Sequence, residues 1–286
     1  MSRMEKLSEL TSIREQALAA AAAHARLAEL LEDPDAEVRA AAAGAVGSYP
    51  GQAGLVRRAL ALAREDAASE VRRAASLALG QVVREGDLAR ADAPGYAPDA
   101  EAGEPDAGLF ARARALLLET LEAGGGEDER LAAMEALAHL ADHPAVVAAI
   151  EGAAAGERAL RRAALRAMGW SGDAVRWRAE VLRGLEAPEA DVVMAAAWAA
   201  GQAGVREATP KLMALLGRAS APGSDAGVAR RAAEALGRTG GAEAAQALLV
   251  AAASAPDEDV RQAAQDALEE LEVLASIDDE LVGGAG

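Results

Sequence analysis

Val71-Arg72-Arg73-Ala74-Ala75-Ser76-Leu77-Ala78-Leu79-Gly80 and Leu160-Arg161-Arg162-Ala163-Ala164-Leu165-Arg166-Ala167-Met168-Gly169 are two copies of one pattern, and that pattern decides the fold. An aliphatic residue opens it at position 0, often followed by Arg. Ala stands at positions 4 and 7, an aliphatic at 8 and frequently Gly at 9. Further copies start at Val38, Glu129, Val192, Val228 and Val260. Positions 0, 4, 7 and 8 share one face of a 3.6-residue helix, so each copy reads as an amphipathic helix. Gly at position 9, as at Gly47, Gly80, Gly169, Gly201 and Gly237, reads as the residue that ends it.

An apolar helical stretch precedes every copy, over 13–32, 53–65, 109–122, 145–155, 175–185, 210–219 and 242–253. Asp, Pro or Gly lies in most turns between, as in Asp33-Pro34-Asp35, Gly124-Gly125-Gly126, Ala221-Pro222-Gly223 and Ala255-Pro256-Asp257. Ser12 with Glu15 reads as a capping box opening the first helix. Each unit is thus a helical hairpin with an apolar face it cannot bury alone, so consecutive units stack. The spacings are 33, 58, 31, 32, 36 and 32 residues, and the outlier contains an acidic Pro- and Gly-rich insertion at 84–108 that reads as a loop. The expected architecture is all-α: a single α-solenoid of about seven stacked helical hairpins over residues 1–272, followed by an acidic, flexible tail at 273–286.

Composition agrees and excludes several chemistries. Of 286 residues 81 are Ala and only six are aromatic, which suits close-packed helices rather than a thick core or a sheet. No cysteine means no disulfide, thiolate zinc site, iron–sulfur cluster or thiol nucleophile. The longest uncharged stretch, Ala40–Val56, has 17 residues and is broken by glycines and Pro50, too short to span a bilayer. The acidic residues among the first fifteen do not fit a secretory leader, and a cytoplasmic location is expected. With lysine only at 6 and 211, no glycine-rich segment leads into the Lys-Ser/Thr of a phosphate loop. His139 and His143 stand four apart, but Pro144 breaks the helix that would align them, so no metal site is expected. No catalytic residue and no cofactor is assigned.

The Asp-x-x-Val-Arg pattern at Asp35–Arg39 and Asp257–Arg261, with Ala-Leu-Gly at 78–80 and 235–237, resembles the HEAT repeat, in particular the short bacterial form also found in phycobilin lyases. The likeness runs over roughly 13–272. It implies a HEAT-like superhelix whose second helices line the concave face. It also implies that the arginines at position 1, Arg39, Arg72, Arg130, Arg161 and Arg261, pair with turn aspartates such as Asp35 and Asp257 in an inter-repeat ladder. Copies three and five depart from the pattern, with Glu129 in the aliphatic position and Val193 in the Arg position.

Positions 2 and 6 point away from the core face. At the centre of the array they carry Met194 and Trp198, flanked by Arg162, Arg166 and Arg230. An aromatic and a flexible thioether framed by guanidinium groups has the makings of a hot spot for a protein or peptide bearing apolar and acidic residues. Packing between units is the other role open to Trp198, and Trp170 and Trp177 read as packing. A non-enzymatic interaction scaffold is the first functional expectation. A tetrapyrrole (bilin) lyase or chaperone-like subunit, suggested by the resemblance, is the second. A nucleic-acid-binding solenoid is the third and is disfavoured by a net charge of −17. That charge is uneven: −5 lies in 84–108 and −9 in 256–286, leaving −3 on the rest. The tail, with Leu274, Ile277 and Leu281 among acids, could support self-association.

Overall fold

The computed structural model describes residues 21–92, 107–123, 126–218 and 225–283. The chain forms two compact units, Met1–Ala149 and Ile150–Gly286. In the first unit, α1 (Ala21–Leu30), α3 (Ala53–Glu65) and α5 (Ala107–Ala123) alternate with α2 (Ala36–Val46), α4 (Ser69–Asp92) and α6 (Glu127–Ala136). Helix α7 (Pro144–Ala154) contains the unit boundary. In the second unit follow α8 (Arg158–Ser171), α9 (Ala174–Gly184), α10 (Ala190–Ala203), a 3₁₀ turn at Arg206–Ala208, α11 (Thr209–Gly217), α12 (Ala226–Thr239), α13 (Ala242–Ser254) and α14 (Glu258–Gly283). No strand occurs among the described residues. All seven pattern copies fall in even-numbered helices, and the fold is an all-α solenoid of helical hairpins.

Within each unit the pattern helices pack on one another in order: α2 on α4 and α4 on α6, then α8 on α10, α10 on α12 and α12 on α14. Each of α3, α5, α9, α11 and α13 covers the pattern helix that follows it. The pattern positions explain this. Positions 0, 4, 7 and 8 are buried in every copy except at Leu160, Val228 and Leu268, which are half-buried. Alanine dominates: Ala195, Ala196, Ala197, Ala199 and Ala200 of α10 are all buried. Larger side chains fill the space between the helix layers, with Leu27, Leu30, Leu79 and Leu117 in the first unit and Ile150, Met168, Leu212 and Leu248 in the second. Each such burial contributes about 2–3 kcal/mol.

The glycines at position 9 are not helix ends, with the exception of Gly47, the C-cap of α2. Gly80, Gly169, Gly201 and Gly237 lie inside α4, α8, α10 and α12. A Cβ on any of them would fall 2.6–3.0 Å from the Cα of an alanine at position 7 of the next pattern helix: Ala136, Ala199, Ala235 and Ala267 respectively. They remove a side chain where two helix backbones meet. The left-handed terminators come three residues later, at Gly172 and Gly204. The third and seventh copies carry Ala138 and Glu269 at position 9. These copies contain α6 and α14, the last pattern helix of each unit.

Asp35, Asp173 and Asp225 cap α2, α9 and α12, each accepting a backbone N–H from the first turn. Two expected boundaries shift. Helix α4 runs on to Asp92, so residues 84–92 of the expected loop are helical, and α14 continues through 273–283, the start of the expected tail. Both extensions lack a Pro or a left-handed Gly to stop them, whereas Pro94 and Gly95 follow α4. Ser12 and Glu15, and the turns at 124–125 and 219–224, lie outside the described residues, as do the side chains of Leu274, Ile277 and Leu281.

Candidate functional site

Arginine at position 1 pairs with an acid of the next repeat at Arg39, Arg72 and Arg161. Arg39 donates from Nε and Nη2 to the two carboxylate oxygens of Asp66 at 2.8 and 2.9 Å, and from Nη1 to the carbonyls of Asp33 and Pro34. Arg72 repeats the geometry: Nη1 reaches the carbonyls of Asp66 and Ala67, and Nε reaches Glu129 Oε1 at 2.9 Å. Arg161 donates to Glu189 at 3.0 Å. Arg39 and Arg72 thus close their own turns, and all three guanidiniums hold an acid of the next repeat. Arg261, in the last repeat, keeps the two turn carbonyls and turns to Glu258 beside it. Asp35 and Asp257 are helix caps: Asp35 accepts from the backbone N–H of Glu37 and Asp257 from that of Val260. Arg130 is exposed. Hydrogen bonding from Arg39 holds the Asp66 carboxyl below its ordinary range, and hydrogen bonding from Arg72 does the same for Glu129.

In the second unit the residues at positions 2 and 6 of α8, α10, α12 and α14 lie at the surface or half-buried. Trp198 is half-buried and meets Trp170 edge to face, with centroids 5.3 Å apart and planes at 66°. Its ring lies over Gly169, where a Cβ would fall 2.6 Å from Cζ3. Trp198 is therefore packed between repeats and partly open to solvent at once. Trp170, read from sequence as packing, is 41% exposed and sets a second ring against Trp198. Edge-to-face pairs of this kind add about 0.5–1.5 kcal/mol beyond the area they bury. Trp177, by contrast, is buried in the core. Met194 is half-buried beside Gly227, where a Cβ would fall 3.3 Å from its sulfur.

The arginines that frame the tryptophans are partly committed. Arg162 and Arg158 both grip Asp191, at 2.9 and 2.8 Å, at the start of α10. Hydrogen bonding from Arg158 and then from Arg162 lowers the Asp191 carboxyl. Arg230 lies 3.5 Å from Glu234 one turn along α12, and Arg231 also reaches Glu234. Arg166 is exposed between Arg162 and Trp170. These side chains occupy exposed and half-buried positions of α8, α10 and α12. His139 is half-buried after α6, with Nε2 3.4 Å from Asp87 on α4. Among the described residues no group of three His, Asp or Glu could hold a metal ion, and no helix is long and apolar enough to cross a membrane.

An all-α repeat architecture with position-1 arginine rungs and a polar face on its pattern helices defines the class. Residues 178–269 match the family of HEAT repeats. No curated protein sequence matches the chain. Among solved structures, the complex of CpcE and CpcF of phycocyanin lyase from Nostoc sp. PCC7120 is similar at 21% identity and TM-score 0.50, covering 86% of this chain and 93% of that one. Kap95p, in its complex with RanGDP, is similar at 15% identity and TM-score 0.52, and 95% of this chain covers 40% of it. Both show the fold, a HEAT-like solenoid.

Proposed function

We propose that the chain is a non-enzymatic cytoplasmic scaffold that binds a protein or peptide on the pattern-helix face of its second unit. The observation that carries this reading is the Trp170–Trp198 pair, two of the chain's three Trp, with Trp170 exposed and Trp198 half-buried beside Arg166. Large aromatic and guanidinium groups are the residue types that dominate binding energy at protein interfaces. The partner is expected to offer an apolar anchor to the tryptophans and carboxylates to the arginines.

The test is affinity capture from the native cell followed by mass spectrometry, with wild type and the double variant Trp170→Ala/Arg166→Glu. Both sites are exposed, so the fold is expected to survive. Loss of one specific protein from the variant supports the reading, and an identical set of captured proteins overturns it. Co-purifying bilin absorbance that is lost in the same variant would favour a tetrapyrrole-handling role instead.

A further inference from the structure

The face that carries the tryptophans changes sign from one end of the unit to the other. On α8 the exposed stripe begins with Arg158, Arg162 and Arg166. On α10 the corresponding stripe is neutral, with Met194 and Trp198. On α14 it has become acidic, with Glu258, Asp266 and Glu270 exposed. Side-chain contacts tie these stripes into one surface: Arg158 and Arg162 reach Asp191 on α10, and Arg238 on α12 reaches both Gln202 on α10 and Glu270 on α14. Between α12 and α14 the surface sinks into a groove of about 380 Å³, whose charged lining is Arg230, Arg238, Glu234, Asp259, Asp266 and Glu270.

We infer that this face takes a bipolar segment of a partner protein, with carboxylates over α8, an apolar residue against Trp198 and Trp170, and lysine or arginine side chains in the α12–α14 groove. The inference rests on the partner-binding reading above and adds the partner's second charge and its direction. Complementary charge at both ends fixes orientation, because a segment laid the wrong way meets like charge at each end. Packed helices lie about 9 Å apart, so the three steps from α8 to α14 span roughly 27 Å. An extended chain covers that in about eight residues, which sets the separation of the two charged blocks.

Three labelled peptides test this against the full-length protein by fluorescence anisotropy at low and moderate salt. Each has a central Leu-Phe pair and two flanking triplets centred about eight residues apart: Asp then Lys, Asp twice, or Lys twice. The bipolar peptide is expected to bind at least tenfold tighter than the other two, with an advantage that shrinks as salt rises. In Asp266→Lys/Glu270→Lys the preference is expected to move to the doubly acidic peptide. Circular dichroism confirms the fold of each variant, and Asp266→Asn/Glu270→Gln serves where charge reversal disturbs it, with the bipolar advantage expected to disappear. Equal binding of the bipolar and doubly acidic peptides, both weakened by Trp170→Ala, would sink the bipolar partner and leave the tryptophan site standing. Binding indifferent to Trp170→Ala would overturn both.

Discussion

Glu129 stands where every other copy of the pattern has an aliphatic core residue, and its carboxylate is buried against the guanidinium of Arg72, 57 residues earlier. The departure from pattern is the solution to a local problem. Arg72 reaches across to the next repeat, and at the corresponding place Arg39 finds Asp66 and Arg161 finds Glu189. Glu129 also accepts from the backbone N–H of Gly126, so one side chain caps α6 and neutralises the rung.

Replacing Glu129 by Gln is expected to cost about 2–3 kcal/mol at neutral pH, the range for losing charged hydrogen bonds at a buried site. Arg72 lowers the Glu129 pKa from 4.5, so the folded state binds this proton less readily than the unfolded one. The stabilisation is therefore full above 4.5 and is lost as pH falls through the folded value. Urea melts of wild type and Glu129→Gln should differ at pH 7 and converge toward pH 3. The pair Arg72→Met/Glu129→Leu should recover most of the loss, since a well-packed apolar pair replaces a buried ionic one at little cost.

Glycine substitutions separate the close-approach role from helix propensity. Gly237→Val forces a side chain to within about 3 Å of Ala267 and is expected to destabilise by about 1–3 kcal/mol. Gly44, exposed inside α2 with nothing near its Cβ direction, behaves oppositely. Gly44→Ala is expected to stabilise by about 1 kcal/mol, through helix propensity alone. Thermal melts monitored at 222 nm measure both.

Acid sensitivity near neutrality should trace to His139. Burial pushes its imidazole below 6.5, while Asp87 opposes the shift; Arg84 adds to it, and Arg114 lies 3.6 Å from the other Asp87 oxygen. Glu135 stands one turn before it on α6. The unfolded chain takes up this proton first, so stability is expected to fall as pH drops through 6.5. In His139→Gln the stability between pH 7 and 5 should be flat, and an unchanged slope would assign the loss to other groups.

The two surface tryptophans should part company in stability. Trp170→Ala removes an exposed ring at a helix end and is expected to cost under about 1 kcal/mol, whereas Trp198→Ala empties the space over Gly169 and should cost about 2–3 kcal/mol. Chemical denaturation of the two single variants provides the comparison.

The sequence pattern revealed the helices because burial at positions 0, 4, 7 and 8 is a local, periodic demand. The meaning of position 9 was hidden for the opposite reason. Gly201 answers to the backbone of Ala235 in the next repeat, a contact 34 residues away that looks in one dimension like a helix stop. The rungs were partly hidden in the same way: Arg39 was visible as a repeated arginine, but its partner Asp66 differs in type from Glu129 and Glu189, so no repeated letter marks the acid. Trp170 escaped as a surface residue because its stripe, ten positions into the pattern, is not periodic in residue type. That Met194, Trp198 and Arg166 lie outside the core follows from helical phase alone, while the commitment of Arg162 to Asp191 required the neighbouring helix.

The glycine-to-alanine contact between successive pattern helices also makes the array's length editable. A repeat that ends in Gly and receives through Ala has the same plug and socket as its neighbours, so whole steps of 32–36 residues can be duplicated or deleted without inventing a new interface. Ala138 and Glu269 lack the plug. The junctions at Gly80, Gly169, Gly201 and Gly237 are therefore interchangeable in kind, each a bare backbone set against an alanine.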